Sequence, residues 1–232
     1  MIGAWIPLLA MAQAPVSPDP FVRERLRMVK EQIEARGVKN PAVLAALRDV
    51  PREQFMPPAA RAHAYEDRPV SIGFGQTISQ PYIVAFMTDL LDLKKHHRVL
   101  EIGTGSAYQA AILARLANEV YSIEIVPDLA RSAAATLRRL GYRNVTVREG
   151  DGYQGWPEHA PFDRVILTAA PPALPPELVR QLKPGGLLIA PVGVGEQEVI
   201  VVQKHPDGST TTRPVLPVSF VPMRPGRGEE LP

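Results

Sequence analysis

The stretch Val99-Leu100-Glu101-Ile102-Gly103-Thr104-Gly105-Ser106-Ala107 is where this sequence first offers chemistry. A run of buried-strand character meets two glycines and then a helical pattern. Gly103 and Gly105 let the backbone turn tightly and approach a ligand. The helix start behind them, with Thr104 in the turn, presents unpartnered N–H groups at the positive end of its dipole. Two phosphate sites do not fit. A dinucleotide fingerprint wants a third glycine at position 108, which is Tyr108, and a phosphate-cradling loop wants Gly-Lys-Ser/Thr, which is absent. Glu101 would repel a pyrophosphate. It suits a cationic ligand, one carrying an amino group and a sulfonium, and that ligand is S-adenosylmethionine.

Two more acids point the same way. Glu124, followed by Ile125, closes the second strand candidate, 124 − 101 = 23 residues after Glu101. A carboxylate there can accept both ribose hydroxyls. Gly150-Asp151-Gly152 follows the third strand candidate. Asp151 could accept from an adenine amino group while the Gly152 N–H donates to a ring nitrogen. Each feature alone has a plain reading, as a tight turn or a solvated charge. Three acids at three successive strand C-termini are harder to dismiss, because ligands bind at that edge of an open α/β sheet.

The elements that must position these groups follow from pattern. Residues 21–36 repeat Val22, Leu26, Val29 and Ile33 at helical spacing, with Gly37 as the stop. Asn40-Pro41 caps a second helix to about Asp49, and a third covers about 81–92 after a glycine-containing loop. From residue 98, strand candidates 98–102, 119–125, 145–149, 163–168, 186–191 and 199–204 alternate with helix candidates 106–117, 128–140 and 176–182. The fold class is therefore α/β: a doubly wound, mainly parallel sheet with helices on both faces; with the ligand read above, it resembles the Rossmann-like class I methyltransferases. His205-Pro206-Asp207-Gly208 is a turn, and 210–221 returns as the second arm of an antiparallel C-terminal hairpin. Residues 1–20 read as an N-terminal extension or leader, and 21–232 as one domain. Within it, 21–97 is helical and substrate-side, 98–195 is the cofactor-binding core, and 196–232 is the hairpin and tail.

Composition narrows the chemistry. The 232 residues are 45% hydrophobic and 22% charged, enough apolar surface for a core. There is no cysteine, which excludes disulfides, thiolate metal sites and the cysteine nucleophile of C5-pyrimidine methylation. Strand four ends Thr168-Ala169-Ala170-Pro171-Pro172, without the amide or carboxylate used in base amino-methylation. No acidic cluster beyond the cofactor acids offers a metal, and His63, His96, His97, His159 and His205 lack ligand spacing and read as surface or turn residues. Net charge is +2, without like-charge runs, so neither a nucleic-acid arm nor a membrane span is expected. Ala12-Gln13-Ala14 resembles a leader-cleavage site, but no basic residue precedes Arg23. A carboxylate acceptor remains attractive, since it is already an anion at neutral pH and needs no general base. Transfer to RNA or a small molecule, a non-catalytic module that only binds S-adenosylmethionine, and an NAD-dependent oxidoreductase stay open as alternatives.

Over about residues 21–224 the chain resembles the protein-L-isoaspartate O-methyltransferase family. The resemblance is carried by Val50-Pro51-Arg52-Glu53-Gln54-Phe55, Gly75-Gln76-Thr77-Ile78-Ser79-Gln80-Pro81, the glycine loop, Gly150-Asp151-Gly152-Tyr153-Gln154-Gly155-Trp156, Leu182-Lys183-Pro184-Gly185-Gly186 and Phe220-Val221-Pro222. The Gln-Thr-Ile-Ser-Gln-Pro stretch is its most specific part.

The resemblance implies methyl transfer from S-adenosylmethionine to the free carboxylate of isoaspartyl residues in damaged proteins, leaving S-adenosylhomocysteine. It implies Ser79 as the active-site residue beside that carboxylate, with Thr77, Ile78 and Gln80 walling cofactor and substrate. Ser79 is also expected to cap the helix entering at Pro81. Phe220 and Val221 are expected to bind substrate through backbone strand addition. Trp156 and Tyr153 are expected in the core or on the adenine side. Arg224 and Tyr82 depart from the family pattern, as does Ala107, which stands for a third glycine and is expected to fit at a helix start. A cytoplasmic monomer acting on isoaspartyl-containing proteins and peptides is expected, because export would separate the enzyme from its cofactor.

Overall fold

The computed structural model describes residues 19–226. The leader question at residues 1–18 and the last six residues of the tail lie outside the described residues. Six α-helices order the chain: α1 (Pro20–Arg27), α2 (Pro41–Asp49), α3 (Pro81–Leu90), α4 (Tyr108–Leu116), α5 (Pro127–Arg139) and α6 (Pro176–Arg180). All but α4 begin with proline at the first turn. That position has no use for its own N–H and favours the fixed φ of the ring. At α2, Asn40 Oδ1 also accepts the Ala42 N–H at 3.0 Å, as the sequence predicts.

The sheet has seven strands. They are β3 (Arg98–Ile102), β4 (Glu119–Glu124), β5 (Val145–Glu149), β6 (Phe162–Leu167), β7 (Leu182–Val192), β8 (Gln197–Lys204) and β9 (Thr210–Val218), in spatial order β5-β4-β3-β6-β7-β8-β9. β5 through β7 in that order are parallel, and β8 and β9 add on antiparallel. Alternation along β3 sorts the core into two faces. Val99 packs with Met87 of α3, Leu91 just after it and Leu113 of α4. Leu100 and Ile102 pack with Leu178 of α6 and with Trp156 and Met223. Glu101 shares the strand with these apolar residues and is fully buried.

Four expectations are corrected. The helix predicted over 21–36 starts at Pro20, capped by Asp19, inside the stretch assigned to the extension. It then widens to a π-turn over Met28–Ile33 and tightens to a 3-10 turn over Glu34–Arg36, ending at Gly37 with φ 98°. An i→i+5 turn draws residues five apart together, and Met28, Val29 and Ile33 are all buried. The glycine-containing loop is partly a small hairpin, β1 (Val70–Gly73) with β2 (Gln76–Ile78). β1 alternates buried Val70 and Ile72 with exposed Ser71 and Gly73, and β2 adds three residues. The second arm of the C-terminal hairpin stops at Val218, before Phe220. His97 is buried rather than exposed; its Nδ1 accepts the Lys94 N–H at 3.1 Å, and burial pushes its pKa down to about 4.

Candidate active site

A cavity of about 880 Å³, mouth included, opens at the C-terminal edge of β3, β4 and β6. This is the topological switch point, where β3 continues to β4 on one side and neighbours β6 on the other. Of the predicted site residues, Thr77, Ile78, Ser79, Gly103, Thr104, Gly105, Glu124, Ile125, Gly152 and Phe220 line it. Gln80, Glu101, Gly150, Asp151 and Val221 do not.

The cofactor wall grows out of the sheet. The Gly103 and Thr104 N–H groups both donate to the Ile123 carbonyl, at 2.8 and 3.2 Å, which continues the β3–β4 ladder into the loop. Gly103 has φ 98°, and a Cβ there would stand 2.4 Å from Thr168 Oγ1. Thr168 in turn donates to the Gly103 carbonyl at 2.5 Å. Sequence alone marked Thr168 as a strand end, without this role. Glu124 Oε2 accepts the Gly105 N–H at 2.7 Å and Oε1 accepts the Val126 N–H at 2.9 Å. Each oxygen keeps a second lone pair for a ligand hydroxyl. Ala107 does not sit easily at the helix start as expected. It is buried in the left-handed region at φ 70°, so α4 begins one residue later, at Tyr108.

Glu101 lies beneath this loop. The β3–β4 register sets it opposite Ser122. Ser122 donates to Glu101 Oε2 at 2.5 Å and stands 2.6 Å from Thr104 Oγ1. Glu101 Oε1 is buried without a partner. Burial, with repulsion from Glu124, pushes its pKa up to about 8 against the opposing bond from Ser122. An orphaned buried carboxylate oxygen under a helix N-terminus fits a cationic ligand such as the amino-acid end of S-adenosylmethionine.

Asp151 caps a 3-10 turn, its Oδ1 accepting the Tyr153 N–H at 2.9 Å, and its Oδ2 accepts the Gly226 N–H of the tail at 2.9 Å. Gly150 donates to the Glu124 carbonyl at 2.9 Å. Gly152 approaches so closely that a Cβ would meet Ile102 Cγ2 at 2.3 Å. Trp156 is core: it is buried against Tyr121, with Arg148 4.2 Å from its ring centre.

The other wall is assembled differently. β2 delivers Thr77 and Ile78, and Ser79 follows, half-buried. Ser79 is not the cap of α3. With Pro81 as the first helical residue the cap position falls on Gln80, which makes no side-chain cap bond. Gln80 Nε2 instead donates to the Asp67 carbonyl at 3.2 Å. What holds Ser79 is Arg52, fully buried in the Pro/Ala-rich connector. Its Nη2 donates to the Ser79 carbonyl at 2.8 Å and its Nε to the Ala64 carbonyl at 2.7 Å. Its guanidinium lies 4.9 Å from the ring centre of Tyr108, which opens α4. Burial lowers its pKa to about 10, still far above neutrality.

Beyond β9, Phe220 is clamped by one side chain. Gln197 Oε1 accepts the Phe220 N–H at 2.6 Å, and Gln197 Nε2 donates to the Phe220 carbonyl at 3.1 Å. The Val221 carbonyl accepts from Ala170 N–H at 2.9 Å, and the Met223 N–H donates back to Ala170 at 2.8 Å. This lays Phe220, Pro222, Met223 and Arg224 along the cavity. Ile83, Val84 and Met87 of α3 complete an apolar side, on a segment that the sequence reading placed on a helix without giving it a role in the site.

Known proteins agree with this geometry. The family profile for protein-L-isoaspartate(D-aspartate) O-methyltransferase matches residues 23–228. The chain belongs to this family. A protein-L-isoaspartate O-methyltransferase of Syntrophobacter fumaroxidans is 50% identical over 97% of both chains. One from Anaeromyxobacter sp. is 55% identical over 84% of this chain and 94% of its own. A solved protein-L-isoaspartate O-methyltransferase superposes with TM-score 0.77 at 29% identity, covering 90% of this chain and 67% of that one. A Plasmodium falciparum structure in complex with S-adenosyl-L-homocysteine has TM-score 0.75 at 24% identity, over 86% and 98%, and shares the fold.

Proposed function

We propose that this chain methylates the free α-carboxylate of L-isoaspartyl residues in damaged proteins and peptides, acting as a cytoplasmic monomer. The observation that carries this reading is the meeting of two walls in one cavity. The acid-rich glycine loop of the family and the Ser79 segment face the same space. S-adenosylmethionine, when bound, supplies an electrophilic methyl group on a sulfonium.

The chain's own residues bind, align and exclude water. Gly103, Thr104 and Gly105 with Glu124 hold the loop against the sheet, and Asp151 supplies negative charge beside it. Glu101, protonated at neutral pH, offers its unpartnered oxygen beneath the loop and takes up negative charge when a cation sits there. Glu124 accepts the ribose hydroxyls, and Asp151 exchanges the Gly226 N–H for an adenine amino group. Ser79 donates its hydroxyl to one oxygen of the substrate carboxylate, leaving the other to attack in line. At neutral pH that carboxylate is already ionised, so no side chain has to remove a proton. Ile78, Val84, Met87 and Phe220 keep water away from the reacting atoms, and alignment supplies most of the rate. In the methyl ester, a backbone amide nitrogen of the substrate then attacks the ester carbonyl, losing its proton and expelling methanol, and the resulting succinimide hydrolyses with one water, partly to aspartate.

The test uses labelled S-adenosylmethionine with an isoaspartyl peptide and its normal aspartyl twin. Base-labile methyl esters are expected on the first alone. Equal labelling of the two would remove the specificity from this reading.

A further inference from the structure

Charge divides the cavity. Among the described residues, the lining carries two ionisable groups of fixed charge, Glu124 on the cofactor wall and Arg224 on the opposite one. Glu124 is engaged by two backbone N–H groups, at 2.7 and 2.9 Å. Arg224 is exposed, and among the described residues no carboxylate lies within 4 Å of it. Its backbone is nevertheless held. Met223 before it is buried and bonded to Ala170 at 2.8 Å, and Pro225 after it disfavours a helical backbone at residue 224. From that anchor the side chain lines the cavity and reaches the β1–β2 hairpin. Arg224 Nη2 lies 3.5 Å from where a Cβ on Gly75 would stand, at the tip of the β1–β2 hairpin that leads to Ser79. The same tip exposes Phe74, held at φ 56°, a strained setting for an aromatic residue.

We propose that Arg224 forms a second subsite at the mouth, which takes a carboxylate flanking the isoaspartyl residue of the substrate peptide. The inference rests on the isoaspartyl reading above. A guanidinium offers paired N–H donors that match a carboxylate in plane. Its exposed position beside the hairpin tip, rather than in the half-buried setting of Ser79, assigns it to a neighbouring residue of the peptide. Pairing with the reacting carboxylate would also withdraw charge from the attacking oxygen. An exposed ion pair of this kind is modest and screened by salt, so it selects among substrates rather than creating activity.

The experiment measures kcat/KM on three isoaspartyl peptides that differ only in having Glu, Ala or Lys on both sides of the isoaspartyl residue. At low salt the intact chain should prefer Glu over Ala by about threefold to fivefold, with Lys lowest. The preference should shrink as salt is raised. Arg224→Gln should bring the Glu/Ala ratio close to one, and Arg224→Lys should restore part of it. A ratio unchanged in Arg224→Gln overturns the proposal. So does an equal loss on all three peptides, which would place Arg224 at the reacting carboxylate. If the intact chain methylates none of the three, the isoaspartyl reading fails and the proposal goes with it.

Discussion

The two walls of the cavity are built by different means. The cofactor wall is an extension of the sheet. Its glycine loop continues the β3–β4 ladder through the Ile123 carbonyl, and Glu124 ties the loop to the start of α5. The substrate wall has little ladder behind it: the small β1–β2 pair, and a single bridge where Val221 and Met223 bond the backbone of Ala170. It is gathered from segments far apart in sequence by single side chains: Arg52 reaches 27 residues to the Ser79 carbonyl, and Gln197 reaches 23 to Phe220. A wall inside a cooperative sheet is held at the stability of the whole fold. A wall pinned by individual bonds can shift locally. The difference matches the tasks, since the cofactor is one fixed molecule and the substrates are many peptide sequences.

The largest effect should come from breaking the sheet-built wall. Gly103→Ala puts a methyl against Thr168 and a side chain at φ 98°. The combined strain and overpacking should cost about 4 kcal/mol in urea unfolding. Adding Thr168→Ala should recover only part, because the dihedral remains. Next is the buried acid beneath that wall. Glu101 rises from an ordinary 4.5 to about 8 on folding. Between those values the folded chain holds a proton that the unfolded chain has released, so stability should fall as pH rises through that window. From pH 5 to 7.5 the loss attributable to Glu101 should be about 2–3 kcal/mol, and Glu101→Gln should flatten it.

The substrate wall should respond in rate rather than stability alone. Arg52→Lys cannot serve both the Ser79 and Ala64 carbonyls from a fork. It should lower kcat about tenfold through misplacement of Ser79, while S-adenosylhomocysteine affinity by calorimetry stays within about twofold. Parallel losses in both quantities would erase the distinction between the walls. The smallest effect is expected at Ala107, whose φ of 70° suits glycine. Ala107→Gly should change the unfolding free energy by less than about 1 kcal/mol, strain relief opposing the added freedom of the unfolded chain.

Legibility in the sequence followed the same divide. The glycine pair, Glu101, Glu124 and Asp151 could be read because strand–helix alternation fixes where each strand ends, and those ends converge. Of the Pro-started helices, the one at Asn40-Pro41 announced itself as cap and first turn, whereas Pro20 fell in the stretch assigned to the extension and Pro127 lay just ahead of the predicted start. The substrate wall was legible only through its family resemblance. Strands of four and three residues around Gly73-Phe74-Gly75 look like loop, and Ser79 looked like a helix cap until Gln80 proved to hold that place. Arg52 and Gln197 carry no signal of their own, because nothing local says that a charged residue in a proline-rich connector is buried. The π-turn in the first helix is a packing outcome and left no trace in spacing.

The prolines that open α1, α2, α3, α5 and α6 act where no contact can be seen. Each removes backbone freedom from the unfolded chain at a place where the folded chain already has the ring's φ, a gain of roughly 0.4–1 kcal/mol per site. Five such sites amount to about 2–5 kcal/mol held in the denatured ensemble. The α-helix that forgoes this is α4, whose first turn adjoins the glycine loop and whose leading N–H, that of Tyr108, bonds the Ser106 hydroxyl at 3.3 Å. Among the described α-helices, the chain restrains its disordered state at every start except the one behind the glycine loop.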